Sequence, residues 1–287
     1  MKPVPSASVV VTTYNRSDAL LAVLDGLSRQ SDRQFDVVVA DDGSQAQHRE
    51  AIFDSGVARA LGAVHVWHPD VGFTASRARN RGVRAALGDY IIFLDGDCVP
   101  ERDFIARHKA FAQRGCFVNG SRVLLSRELT QQVLGGQETV DGRSAFYWLK
   151  QRFTGNASKL TGLLRLPDAE LRMNPSFAWK GLRSCNMAVW RHDFETIDGF
   201  DESYTGWGHE DADFALRLYN AGVVRKNGFC ATEVFHLWHK EASRNKESQN
   251  AALVAARMSG SERIARAALG YSQPRLNDDV VISRLGK

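Results

Sequence analysis

The apolar run Tyr90-Ile91-Ile92-Phe93-Leu94 ends on Asp95-Gly96-Asp97-Cys98, so two carboxylates one residue apart stand where a buried strand stops. In open α/β sheets ligands gather at the carboxyl ends of the strands, and paired carboxylate oxygens there suit a divalent cation that also holds a diphosphate. An ordinary acidic turn has the same appearance, so the pair needs partners elsewhere in the chain. One partner is Gly206-Trp207-Gly208-His209-Glu210-Asp211, where a glycine-flanked tryptophan precedes acids at a helix start. That pattern fits a stacking lid beside a carboxylate that receives a proton, although acids in a first helical turn also serve the macrodipole. Another is Val234-Phe235-His236-Leu237-Trp238-His239, a short strand with two histidines, either of which supplies the imidazole that a metal on two aspartates lacks.

The other strand ends suit a nucleotide. Thr12-Thr13-Tyr14-Asn15-Arg16 offers hydroxyls, an aromatic face and a cation, and Asp41-Asp42-Gly43-Ser44 offers a carboxylate for a base or ribose proton. Among Arg77, Arg79 and Arg81, which fall on successive faces of one helix, Arg79 beside Asn80 is the choice for the site, with the others expected to face solvent. No Gly-x-Gly-x-x-Gly follows the first strand and no Walker loop is present, which argues against dinucleotide and ATP γ-phosphate sites.

Positioning these groups requires alternating elements. Strands are expected at 8–13, 35–40, 63–67 and 90–94, with helices from Ser17, through Ala60, and over 75–86, giving a mostly parallel, Rossmann-like α/β sheet flanked by helices. After about residue 121 the alternation decays, as an acceptor-shaping half would. The expected division is a nucleotide-sugar half at 1–120, an acceptor and catalytic half at 121–240, and a tail at 241–287 carrying one amphipathic helix over 248–269. With 287 residues, 44% of them hydrophobic, the chain can bury a full core. Four cysteines without Cys-x-x-Cys spacing indicate neither a disulfide framework nor a zinc cluster. Net charge is +4, with Lys240, Arg244, Lys246, Arg257, Arg263 and Arg266 crowding the tail. This suggests an anionic membrane surface rather than nucleic acid, or simply a solvated helix face.

Taken together, these segments resemble a family-two, inverting nucleotide-sugar glycosyltransferase of the GT-A fold over roughly residues 7–240. The region from Cys185-Asn186-Met187 to Asp211 is similar to the galactosyltransferase-type region of chondroitin-polymerase-like and β-1,4-galactosyltransferase-like enzymes. The resemblance implies that Thr12, Tyr14, Arg16 and one of Asp41 or Asp42 hold a UDP-sugar with Arg79. Asp95 would hold the ribose, and Asp97 with Asp95 the Mn2+ or Mg2+. His239, followed by Lys240-Glu241, looks more like the family's metal histidine than His236. Asp211 would be the general base, assisted by Glu210, with Trp207, Glu210 and Asn186 on the acceptor. His209 stands where relatives usually have glycine.

Two other readings compete. A nucleotidyltransferase also uses acidic pairs on an α/β sheet but calls for a glycine-rich basic loop after the first strand, which Thr12-Thr13-Tyr14-Asn15 is not. A catalytically silent carbohydrate-binding protein needs neither the acidic pair nor the base. The short apolar N-terminal run suggests a cytoplasmic protein, peripheral at the inner membrane face when its acceptor is a lipid-linked or lipopolysaccharide glycan.

Overall fold

The computed structural model describes residues 5–161, 164–179, 181–240, 247–260, 262–273 and 279–286. In chain order the elements are β1 (Ala7–Thr13), α1 (Ser17–Ser28), β2 (Phe35–Asp41), α2 (Ala46–Asp54), α3 (Gly56–Ala60), β3 (Val64–Trp67), α4 (Ala75–Ala85) and β4 (Tyr90–Asp95). There follow β5 (Cys98–Pro100), α5 (Phe104–Phe111), β6 (Cys116–Asn119), β7 (Arg122–Leu124), α6 (Arg127–Leu134), α7 (Ala145–Phe153) and β8 (Met173–Asn174). The remainder is β9 (Asn186–Trp190), α8 (Arg191–Thr196), α9 (Glu210–Asn220), β10 (Val224–Asn227), β11 (Val234–His236), α10 (Glu247–Ser259) and β12 (Val281–Arg284).

Nine strands form one mixed sheet in the order β12-β3-β2-β1-β4-β9-β6-β10-β8. β3, β2, β1 and β4 are parallel, so their carboxyl ends, with Thr13 opposite Asp41 and Thr12 opposite Asp95, lie along one edge. The middles of β1, β2 and β4 are runs of buried apolar residues because both faces are covered. Val9, Val11, Val37, Val39 and Leu94 pack with α1 on one side, while Val10, Val38 and Phe93 pack with Phe200 and Phe214 on the other. Alternation along each strand divides the side chains between two cores. β5, β11 and β7 make a separate three-stranded sheet.

Three expectations need correcting. The helix read through to Ala60 breaks at Ser55, whose hydroxyl caps α3 by accepting from the Ala58 amide. Arg81 is buried, so it does not face solvent. The tail helix runs only over Glu247–Ser259 and stops before Gly260, and its cation Arg257 points inward rather than forming part of a basic stripe. Arg244 and Lys246 lie outside the described residues.

Arg257 docks α10 onto the carboxyl-terminal half through Asp201 and Asp213, whose side chains are fully buried, and Asp213 also receives Arg217 Nε at 2.8 Å. Burial works to raise the Asp201 carboxyl, but Arg257 and the Ser203 and Ala268 amides hold it down to about 2. The stability this represents is present above the ordinary aspartate value and is lost as pH falls from about 4 toward 2. Arg257→Ala strands a buried carboxylate and is expected to cost about 3–5 kcal/mol. Urea unfolding at pH 7 checks this, and an unchanged midpoint would mean that α10 is not docked.

Candidate active site

The acidic pair sits where β4 leaves the sheet. The Gly96 amide donates to the Thr12 carbonyl at 2.8 Å, an approach so close that a Cβ would lie 2.9 Å from that oxygen. Cys98 pairs with His236 across β5 and β11, and the Leu237 amide donates to the Asp97 carbonyl at 2.8 Å. These contacts bring His236 Nε2 to 3.6 Å and His239 Nε2 to 3.1 Å from Asp97 Oδ2.

The histidine environments differ. Burial lowers His236 to about 4, leaving it neutral. His239 is raised by its contact with Asp97, while burial opposes that shift. His239 Nδ1 lies 2.9 Å from the Lys240 carbonyl, which can only accept, so Nδ1 carries the proton. In the neutral ring the Nε2 lone pair therefore faces a carboxylate oxygen, an arrangement that favours a proton or a shared cation between them. Asp97, His239, His236 and Asp95 thus fit a divalent metal by donor chemistry. Cys98 Sγ clusters with Asp97 and His236, and burial raises the metal-free thiol well above its ordinary value.

Arg79 joins this cluster to the other half of the site. It is 3% exposed, with Nη2 3.1 Å from Asp95 Oδ1 and Nη1 3.4 Å from Glu210 Oε1, and its guanidinium lies 5.3 Å from the Phe200 ring centroid. Asn80 fixes the approach of the two halves by donating to the Phe200 carbonyl and accepting the Phe200 amide, each at 2.9 Å. Asp211 follows Glu210 in the first turn of α9, and burial together with the Glu210 charge raises it to about 7. Asp95 is raised too, by burial first and by Asp97 among its charged neighbours.

The loop before α9 is held in an unusual shape. Gly206, Gly208 and His209 adopt φ of +77°, +104° and +71° around Trp207, and the histidine conformation costs on the order of 1–3 kcal/mol. Asn250 of α10 donates to the Thr205 and Gly208 carbonyls, the Phe73 carbonyl accepts the Gly206 amide, and the His209 ring lies 5.3 Å from that of Trp179.

On the nucleotide side, Tyr14 is 46% exposed and donates its hydroxyl to Asp70 Oδ2 at 2.8 Å. Gly43, at φ +95°, admits the Asp70 backbone where any Cβ would collide with it. Thr12 Oγ1 is buried without a hydrogen-bond partner among the described residues, and Arg16 pairs with Asp18 at the head of α1. Asp42 accepts the Thr74 amide and hydroxyl, and its charge reaches Tyr14.

The alternative between Asp41 and Asp42 narrows to Asp42, and the expected contact of Asn186 is overturned. Asp41 is fully buried, with its oxygens on the Ser44 amide and His65 Nε2, so it braces the sheet instead of meeting a nucleotide. Asn186 is also fully buried; its amide serves His108 and the Ser121 and Thr232 carbonyls, which leaves nothing for an acceptor. Asp70 and Trp179 were not anticipated, and Asn80 was read beside Arg79 without a role of its own. Asp70 alone left a signal, as an acid just beyond the third strand.

Comparison with known proteins gives a consistent result. Residues 8–172 match the model described as glycosyl transferase family 2, and residues 168–240 match the model described as the N-terminal domain of galactosyltransferase. The chain is 30% identical over 238 residues to validoxylamine A glucosyltransferase of Streptomyces hygroscopicus subsp. jinggangensis, covering 77% of this chain and 53% of that one. It is 27% identical to chondroitin synthase of Escherichia coli, covering 82% of this chain and 34% of the relative. The chain therefore spans about half the length of the first of these relatives, and less of the second. Among solved structures, GalNAc-T7 with UDP, GalNAc and Mn2+ aligns with a TM-score of 0.63 at 16% identity over 92% of this chain and 49% of that chain. S. aureus TarS 1-349 in complex with UDP-GlcNAc aligns at 0.56, also at 16% identity, over 93% of this chain and 68% of that chain. The shared architecture is the GT-A fold.

Proposed function

The chain belongs to glycosyl transferase family 2, and from that premise we propose that it transfers a hexose or N-acetylhexosamine from a UDP-sugar to a saccharide acceptor, with inversion, in bacterial surface-glycan synthesis. The observation that carries this reading is Arg79, which ties the acidic pair at the end of β4 to the acids that open α9. A leaving diphosphate and an attacking hydroxyl need such a pair of opposed sites within one cleft.

Asp211 accepts the proton of the acceptor hydroxyl as that oxygen attacks the anomeric carbon, and its value of about 7 suits a base working near neutrality. Glu210 and Trp207 hold the sugars. Arg79 keeps Asp95 and Glu210 apart as charges and together in space, while Tyr14, Asp42 and Thr12 border the uridine. Mn2+ or Mg2+ on Asp97, Asp95, His239 and His236 would neutralise charge on the departing diphosphate. The donor half is 1–120 and the acceptor half 121–240, with the remaining chain bracing both. No helix among the described residues is long and apolar enough to cross a membrane. We place the reaction in the cytoplasm, at the inner membrane face when the acceptor is lipid-linked.

A screen of UDP-sugars for UDP release against a panel of acceptor sugars, with and without Mn2+, tests the function. Metal-dependent release from at least one donor is expected, and release from none would sink the assignment.

A further inference from the structure

A cavity of about 400 Å3 opens between the end of β6 and the segment that leads into β9. Its lining includes Arg122, Lys159, Arg183 and Arg225 and, among the described residues, no acidic side chain. Such a gathering of like charge is unfavourable unless a counter-charge meets it. Arg122, Lys159 and Arg183 have no carboxylate within ion-pair distance among the described residues. The Arg122 Nη1 contact is to the Cys185 thiol at 4.0 Å, and Lys159 donates to the Ser121 hydroxyl. Glu233 exerts some pull on Lys159, but it is buried and accepts the Cys230 amide. Burial lowers the Lys159 ammonium below its ordinary value, and the charges of Arg183 and Arg122 press in the same direction.

The cavity adjoins the transfer site. Arg122 Nη1 lies 4.0 Å from the Cys185 thiol, and the carbonyl of the same Cys185 accepts the Asp95 amide at 3.3 Å. The Ser184 backbone, next to Arg183, helps to lower the Asp211 carboxyl against burial. The face of Phe229, 44% exposed under the Lys159 ammonium at 5.2 Å, adds an apolar platform of the kind a sugar ring covers.

We propose that this cavity takes the anionic group, a carboxylate or a phosphate, of the acceptor saccharide, so that the natural acceptor is an acidic sugar. The proposal rests on the transferase reading for the word acceptor and on the cavity alone for the anion. Neither Tyr14 nor Asp42, which border the uridine, is among the residues that line the cavity.

Calorimetry with UDP present tests it, using glucuronate and glucose 6-phosphate as probes and glucose as the neutral control. At least one anionic probe is expected to bind ten times more tightly than glucose. The Lys159→Gln/Arg183→Gln double variant should lose that preference about tenfold with UDP affinity unchanged, whereas Lys159→Arg should keep it. Equal binding of glucose overturns the proposal, and so does a double variant that loses UDP affinity, because the cavity would then serve the donor. Anion binding without UDP release from any donor and acceptor pair would leave the cavity assignment standing and defeat the transferase reading instead.

Discussion

Replacing Asp211 with Asn is expected to lower transfer by about 10²–10⁴-fold while donor binding persists, since the lost group acts on the acceptor proton and not on UDP. The pH profile sharpens the expectation. Asp211 is raised to about 7 by burial and by Glu210, so wild-type turnover should climb through neutrality as the pair loses its proton, and the variant should lack that limb. Folding linkage runs in the opposite sense. A carboxyl raised in the native state adds stability below about pH 4, and that stability is lost as pH rises through about 7. The variant never ionises there, and at pH 8 it should be more stable than the parent by on the order of 2–4 kcal/mol. Initial rates of UDP release across pH, with thermal melts at the same values, check both. Near-normal turnover in the variant would remove Asp211 from the role of base.

Much of this site is legible in the sequence, for a physical reason. Buried strands announce themselves by continuous apolar runs, and the residue after such a run must lie at the sheet's carboxyl edge, so Thr12, Asp42 and Asp95 could be located from pattern alone. The acids after Trp207 were legible as a helix start. What pattern cannot convey is which neighbour a polar side chain meets. Asp41 and Asp42 are adjacent in sequence and alternate in direction, and only the fold turns the first toward His65 and the second toward Thr74. Asn186 stood on the acceptor only by the family resemblance, but β9 lies in the middle of the sheet and the chain closes around it. The tail misled in the same way. Arg257 reads as surface charge because its carboxylate partners lie 56 and 44 residues earlier, and one glycine inside a helical pattern is a weak stop.

The acidic turn carries the second large effect. Asp97→Ala is expected to reduce Mn2+-dependent UDP affinity by more than the roughly 10–100-fold typical of losing a residue that merely orients a metal ligand. Affinity measured in chelator should not change. Asp97 is the point where both imidazoles converge, and burial works to raise it while its side-chain contact with His239 holds it below the ordinary aspartate value. It is therefore ionised and ready to ligate at any pH at which the enzyme works. The two histidines separate in the same assay. His239 has its proton pinned on Nδ1 by the Lys240 carbonyl and its Nε2 directed at Asp97, so His239→Ala should reproduce most of the Asp97→Ala loss. His236→Ala, with Nε2 0.5 Å farther from the same oxygen, should lose less. The reverse ranking would transfer the ligand role to His236, and calorimetry showing unchanged metal-dependent affinity in Asp97→Ala would defeat the metal assignment itself.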